Sequence, residues 1–428
     1  MNNEKRMRRL TEFIGFNEDI SHIEEDWSFA GEDTKYLTHG FHPYPARMMP
    51  LIAKNIVETY AIKNDGIILD PFCGSGTVLV ESIIHDKDAV GFDINPHAVL
   101  IAKAKTTPIE PKKLRDKINE VIKEIMLDKS EHPEPKGIPN LYYWFKPEVI
   151  KELSKLLYHI KKIEDEHMFN FFATAFSYTV WKVSNARKSE YKLYRMDKEE
   201  LAKWNPNVLS IFKDILFENL KGMEEFYRIM QDRKARATIH LRDFKESELE
   251  DQVTLVLTSP PYGDSRTTVA YEQFSRYPAL WLGLKEILNM EVKSLGGIRR
   301  IGNVAKLESK TLEEVFNKVY ERDPERAWDL YSYFYDMDVS LQKIVKALKK
   351  ERSYVVFVIG SRTMRRIRIP TDQILVEMGE RYGLQHERII YRRIPSKRLP
   401  WKNAPENIPG MKGETIGSES IIIWKYGK

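Results

Sequence analysis

Short apolar runs punctuate the chain, and several end on an acidic or small polar residue. Gly66-Ile67-Ile68-Leu69-Asp70, Ala89-Val90-Gly91-Phe92-Asp93, Ala237-Thr238-Ile239-His240-Leu241 and Val253-Thr254-Leu255-Val256-Leu257 have the length and β-branched content of buried strands. Residues 354–359, 387–391 and 420–424 repeat the pattern near the end. Helical spacing predicts helices over Leu51–Val57, entered through prolines, over Val78–Ile84, and on Met337, Leu341, Ile344, Val345 and Leu348. Strand, glycine loop, helix, strand is the opening of a doubly wound α/β fold, here a mostly parallel, Rossmann-like sheet of about seven strands. The alternation stops between 108 and 235, which is long, charged and helix-like, and is expected to be a large helical insertion. The predicted division is an N-terminal arm over 1–38, a discontinuous sheet domain over 39–107 and 236–428, the insertion over 108–235, and a second insertion over 264–330.

At 428 residues and 42% apolar, the chain is long enough to bury a full core. No apolar run approaches the roughly 18 to 20 residues of a membrane span, and the start lacks the apolar stretch of a signal peptide, so a cytoplasmic location is expected. The single cysteine, Cys73, excludes an internal disulfide and a multi-cysteine zinc site, and no metal is expected. A net charge of +5 permits a polyanionic partner without requiring one.

The chemistry concentrates at two strand ends. In Asp70-Pro71-Phe72-Cys73-Gly74-Ser75-Gly76-Thr77 the first strand delivers a carboxylate, and Gly74 and Gly76 let backbone approach a ligand before a helix begins. Asp93, ending the second strand, is the acidic group expected to meet ribose hydroxyls. No Lys-Ser or Lys-Thr follows the glycines, so the loop is not a Walker-type phosphate cradle. Acidic groups here favour a nucleoside ligand without phosphates. S-adenosyl-L-methionine satisfies this, because it joins an adenosine to a sulfonium and an amino acid tail whose ammonium can meet Asp70. Cys73 sits inside the loop and reads as structural rather than nucleophilic.

The second site is Thr258-Ser259-Pro260-Pro261-Tyr262, at the carboxyl end of a buried strand, where open α/β sheets bind ligands. An exocyclic amine on a base is a poor nucleophile because its lone pair is delocalised into the ring. Acceptors such as Ser259 Oγ and the Pro260 carbonyl favour its attack, and Pro261 contributes no competing N–H. Tyr262 offers an aromatic face to a base rotated out of a duplex.

These segments resemble the S-adenosylmethionine-dependent DNA amino-methyltransferases. Asp70–Thr77 is similar to that family's first motif, so the resemblance implies cofactor contacts at Asp70, Phe72, Gly74, Gly76, Thr77 and Asp93. His42-Pro43-Tyr44-Pro45-Ala46-Arg47 looks like the segment beside the methionine moiety, which implies Tyr44, Pro45 and Ala46. Asp243 falls where the family places a carboxylate for the adenine amino group, although an Asp after a strand is also an ordinary helix cap. Thr-Ser-Pro-Pro-Tyr is most like the cytosine-N4-specific form, whereas adenine-N6 enzymes more often carry Asp or Asn in place of Ser259. An adenine-N6 enzyme and an RNA amino-methyltransferase stay open as alternatives. Cytosine-C5 chemistry needs a cysteine nucleophile in the catalytic loop, and this loop has none.

The implied partner is double-stranded DNA with its target base flipped, and a cognate restriction endonuclease goes with that reading. Lys182, Arg187, Lys188 and Arg195 in the insertion, and Arg266 after the catalytic strand, interleave with amide and aromatic residues and are the candidate DNA contacts. Arg299-Arg300 and the cluster Arg392 to Arg398 are further basic stretches.

Overall fold

The computed structural model describes residues 27–61, 65–189, 191–250, 252–263, 269–302, 306–394, 402–403, 413–414 and 417–427. Seven strands form the main sheet: β1 (Ile67–Asp70), β2 (Ala89–Asp93), β3 (Ala237–Leu241), β4 (Val253–Thr258), β5 (Ser353–Gly360), β6 (Gln385–Arg393) and β7 (Ser418–Tyr426). Their order is β3-β2-β1-β4-β5-β7-β6. β1 to β5 run parallel, and β7 pairs antiparallel to both β5 and β6. All seven predicted strands are present.

The core strands look uniformly apolar because both faces are covered, as parallel sheets require. Alternate residues nonetheless go to different partners. Ile68, Leu255, Leu257, Val356, Val358, Ile421 and Ile423 pack with α1 (Pro50–Tyr60) and the start of α2 (Thr77–Ile84). Leu69, Val256, Val355, Phe357, Ile359, Ile422 and Trp424 face the opposite layer. That layer is made by α9 (Lys310–Arg322), α10 (Pro324–Ala347) and α11 (Thr371–Arg381). The edge strands β3 and β6 are largely exposed.

Helix starts follow their sequence signals. Pro50 opens α1, and Asn95 caps α3 (Pro96–Thr106) by accepting from the His97 N–H at 3.0 Å, with Pro96 at the first helical position. Between β2 and β3 lie α3, α4 (Pro111–Leu127), α5 (Pro147–Ile160), α6 (Glu166–Val183) and α7 (Val208–Met230), besides two short turns of helix. The last four bury Leu114, Ile118, Leu153, Phe171, Phe176, Phe212 and Phe226 in one cluster. Val80 and Ile83 of α2 and Tyr277 and Trp281 of α8 (Tyr271–Trp281) join it, so the helical region shares its core with the helices of the sheet. Among the described residues no helix is long and apolar enough to cross a membrane.

The chain reverses its winding direction between β1 and β4, which are neighbours and parallel. Their carboxyl ends therefore flank a topological switch point, the place where doubly wound sheets open a ligand crevice.

Candidate active site

A cleft of about 920 Å³, counting the space open to solvent, lies over this switch point. Both predicted strand ends contribute to it: Asp70, Phe72, Gly74 and Thr77 from the first, Ser259 and Pro261 from the second. Asp93, Asp243, Tyr44, Pro45 and Ala46 line it as well.

The glycine loop is held from several sides. Gly74 N–H donates to Asp93 Oδ2 at 2.8 Å, and Cys73 N–H donates to the Phe92 carbonyl at 2.9 Å, so the loop is pinned to the end of β2. Gly76 has φ of +78°, and a Cβ there would stand 2.9 Å from Ala102 Cβ on α3, so both backbone and space demand glycine. Gly74, at φ of +48°, meets only Tyr44 at ordinary contact distance. The buried Lys105 ammonium donates to the Ser75 carbonyl at 2.9 Å from below. Burial pushes the Cys73 thiol well up, which removes it as a nucleophile at neutral pH.

Asp70 is buried and accepts from Thr258 Oγ1 at 2.6 Å and from Phe72 N–H at 3.2 Å on one oxygen. Thr258 thus ties the two strand ends together. Burial dominates the Asp70 carboxyl and pushes it up to about 7, with the Thr258 and Phe72 hydrogen bonds pulling the other way. Asp93, which also accepts from Asn95 N–H at 2.8 Å, is raised to about 6 by burial. Two carboxyls pressed into one cleft at the edge of ionisation are poised to gain from a cationic or hydroxyl-bearing ligand.

Tyr44 is positioned by Asn95, whose Nδ2 donates to the Tyr44 hydroxyl at 2.9 Å and to Ser275 Oγ at 3.0 Å. The segment before it is anchored by His39 and Tyr36, whose His39 Nε2 and Tyr36 hydroxyl each sit 2.7 Å from Glu81 Oε1, and by Arg47, which donates to the His39 and Thr34 carbonyls. Asp243 lines the cleft and is also a cap: it accepts from Lys245 N–H at 2.9 Å and lies 3.5 Å from the Lys245 ammonium. One side chain thus lines the cleft and caps the turn after β3.

At the second strand end, Ser259 Oγ lies 3.4 Å from the Tyr262 hydroxyl, which donates to Glu419 Oε1 on β7 at 2.8 Å. Arg392 on β6 holds the other Glu419 oxygen at 2.5 Å. Tyr333 on α10 donates to the Pro261 carbonyl at 2.7 Å, whereas no described residue takes up the Pro260 carbonyl. The loop is thus fixed while, among the described residues, the Pro260 carbonyl has no hydrogen-bond donor.

The predicted basic contacts gather at the end of α6. Arg187 lies 3.7 Å from Glu200, Lys182 sits over the Tyr178 ring, and Arg195 stacks on Tyr143 with 4.1 Å to the ring centre. Lys188 is differently employed: its ammonium donates to the Ser184 and Ala186 carbonyls at 2.8 and 2.7 Å and lies near Trp181 and Trp204. Burial lowers it to about 7, so it holds the loop rather than presenting a charge outward. Arg266 and residues 395–398 lie outside the described residues. Arg299 is paired with Asp329 and Glu325.

Several cleft residues were not read from the sequence: Asn95, Tyr271, Arg242 and the stretch 293–295. Asn95-Pro96 carried a readable cap signal. Glu419 carried none, and Arg392 read only as the start of a basic cluster, since only the antiparallel pairing of β7 with β6 brings the two together.

The DNA methylase family model, named for N6 and N4 enzymes, matches residues 2–104. The type II methyltransferase M.MvaI of Kocuria varians is 38% identical over 425 residues, covering 93% of each chain. The type II methyltransferase M.MjaII of Methanocaldococcus jannaschii is 27% identical over 241 residues, 50% of this chain and 44% of that one. A solved S-adenosylmethionine-dependent methyltransferase from Methanosarcina mazei overlays at a TM-score of 0.32 and 10% identity, covering 90% of this chain and 99% of that one. The 38% identity along almost the full length of both chains places this protein in the type II DNA methyltransferase family, whose cofactor is S-adenosyl-L-methionine.

Proposed function

We propose that the protein methylates the N4 amino group of cytosine in double-stranded DNA, acting on a base rotated out of the helix. The observation that carries this is the meeting of the two strand ends: Ser259 and Pro261 line the same cleft as Asp70 and Asp93, with Thr258 bonded across to Asp70. The cleft suits the cofactor by its donor set, since it offers carboxylates to an ammonium and to ribose hydroxyls and no Lys-bearing phosphate loop. When bound, the cofactor supplies an electrophilic methyl group. Asp70 takes the ammonium, Asp93 the ribose, and Tyr44, Pro45 and Ala46 flank the methionine moiety.

Ser259 Oγ and the Pro260 carbonyl accept from the base amine and orient its lone pair toward the cleft. Tyr262, braced by Glu419, gives the flipped base a stacking face that recovers part of the unstacking cost. Ser259 in place of an acid is what favours cytosine over adenine. Lys182, Arg187 and Arg195 contact the DNA backbone, and Lys188 shapes the loop that carries them. A restriction endonuclease of the same sequence specificity is the partner this activity implies.

Transfer of labelled methyl groups to duplex DNA and to RNA tests the reading. Wild type should label DNA, and Tyr262→Ala should bind cofactor yet label it poorly. Label confined to RNA would contradict the proposal.

A further inference from the structure

Away from the cleft, three metal-type ligands converge where α4 ends and α5 passes. Asp128 Oδ2 lies 2.7 Å from His132 Nε2 and 2.8 Å from His159 Nε2. The three ligand atoms fall within 4.8 Å of one another, and the side chains are 12%, 6% and 5% exposed. None of them lines the cleft. Behind His159, Glu124 Oε2 stands 3.2 Å from Nδ1. The His132 ring is backed by Tyr158, with 4.3 Å between ring centres.

We propose that Asp128, His132 and His159 form a binding site for a divalent transition-metal ion of the zinc type. The donor set argues for this class, because two imidazole nitrogens and one carboxylate oxygen suit zinc, whereas calcium and magnesium want oxygen alone. The outer contact argues for a built site: a ligating histidine ordinarily gives its far N–H to a carboxylate, which fixes the tautomer, and Glu124 stands where that carboxylate belongs. His159 stands between two carboxylates, with Nε2 on Asp128 and Nδ1 on Glu124. A cation between Asp128 Oδ2 and the two Nε2 atoms leaves the contact of His159 Nδ1 with Glu124 intact.

Tetrahedral ligands about 2.0–2.1 Å from zinc stand about 3.3 Å apart, so the 2.7 and 2.8 Å separations must widen by about half an ångström, while the two histidine nitrogens, within 4.8 Å of each other, settle to the same spacing. The three protein ligands leave a fourth position for water. The ion would join the segment leaving α4 to α5 and staple residues 128–132 onto the helical core. The single cysteine does not bear on such a site, which uses no thiolate.

The test is zinc titration of the full-length, chelator-stripped protein against a chromophoric chelator. Wild type should bind about one equivalent, and His159→Gln and His132→Asn should each lose at least about tenfold in affinity while keeping their circular dichroism. Glu124→Gln should weaken binding by about 10- to 100-fold as an outer-contact change. Cobalt bound to wild type should give the visible absorption of a four-coordinate ion, a readout independent of whether any variant folds. Absence of stoichiometric zinc binding by folded wild type, undiminished binding in both histidine variants, or a six-coordinate cobalt spectrum would each overturn the proposal.

Discussion

If Asp70 receives the cofactor ammonium, cofactor affinity must depend on pH in a calculable way. In the free protein Asp70 titrates near 7 because it is buried, so at about pH 5.5 it is almost wholly protonated. Binding a cation stabilises the carboxylate, expels that proton and depresses the bound-state pKa. Affinity therefore rises with pH below 7 and levels off above it. With the bound-state pKa well below 5.5, the penalty factor is about 33 at pH 5.5 and about 2 at pH 7, so Kd should tighten about 15-fold across the window. The cofactor amine, with an ordinary pKa near 7.7–8.0, stays charged throughout this range. Asp93, raised to about 6, contributes at most a further factor of about four. Isothermal titration calorimetry in buffers of different ionisation enthalpy measures both the affinity and the proton release. Asp70→Asn should bind more weakly at pH 7 and lose most of the slope. A Kd independent of pH in wild type, or a slope unchanged in Asp70→Asn, would refute the assignment of Asp70 to the ammonium.

Tyr262→Ala should lower kcat by about 5- to 150-fold, the worth of one base-aromatic stack, while cofactor Kd moves less than about twofold. Tyr262→Phe keeps the ring, gives up the hydroxyl's bond to Glu419 and its long contact with Ser259, and should stay near wild type by the same kinetic assay. Gly74→Ala should cost about 1–2 kcal/mol for a left-handed backbone, whereas Gly76→Ala should lose a further 1–3 kcal/mol from overlap with Ala102. Equal losses for the two in denaturant titration would argue against the close packing of α3 on the loop.

The sequence was most readable where covalent periodicity and local chemistry act together. The main-sheet strands announced themselves as short apolar runs because both sheet faces are buried, and the glycine loop announced its backbone demands at Gly74 and Gly76. Asp70, Asp93, Ser259 and Pro261 reached one cleft because strand order places their strand ends side by side. Long-range side-chain partnerships were not readable. The Tyr262–Glu419–Arg392 chain depends on β7 inserting between β5 and β6, which no local pattern encodes. The surroundings of Lys188 were not readable for a related reason: its contacts with Trp181 and Trp204 and its hydrogen bonds to the Ser184 and Ala186 carbonyls arise only once the loop has folded.

Which atom receives the methyl group is the claim most open to direct measurement. Duplex DNA incubated with enzyme and cofactor labelled in its methyl group, then digested to nucleosides and resolved by mass spectrometry, identifies that atom. N4-methylcytosine as the labelled product is the predicted result. Label in N6-methyladenine would contradict the role given to Ser259 in choosing the base, and label in 5-methylcytosine would contradict the account of the strand end altogether.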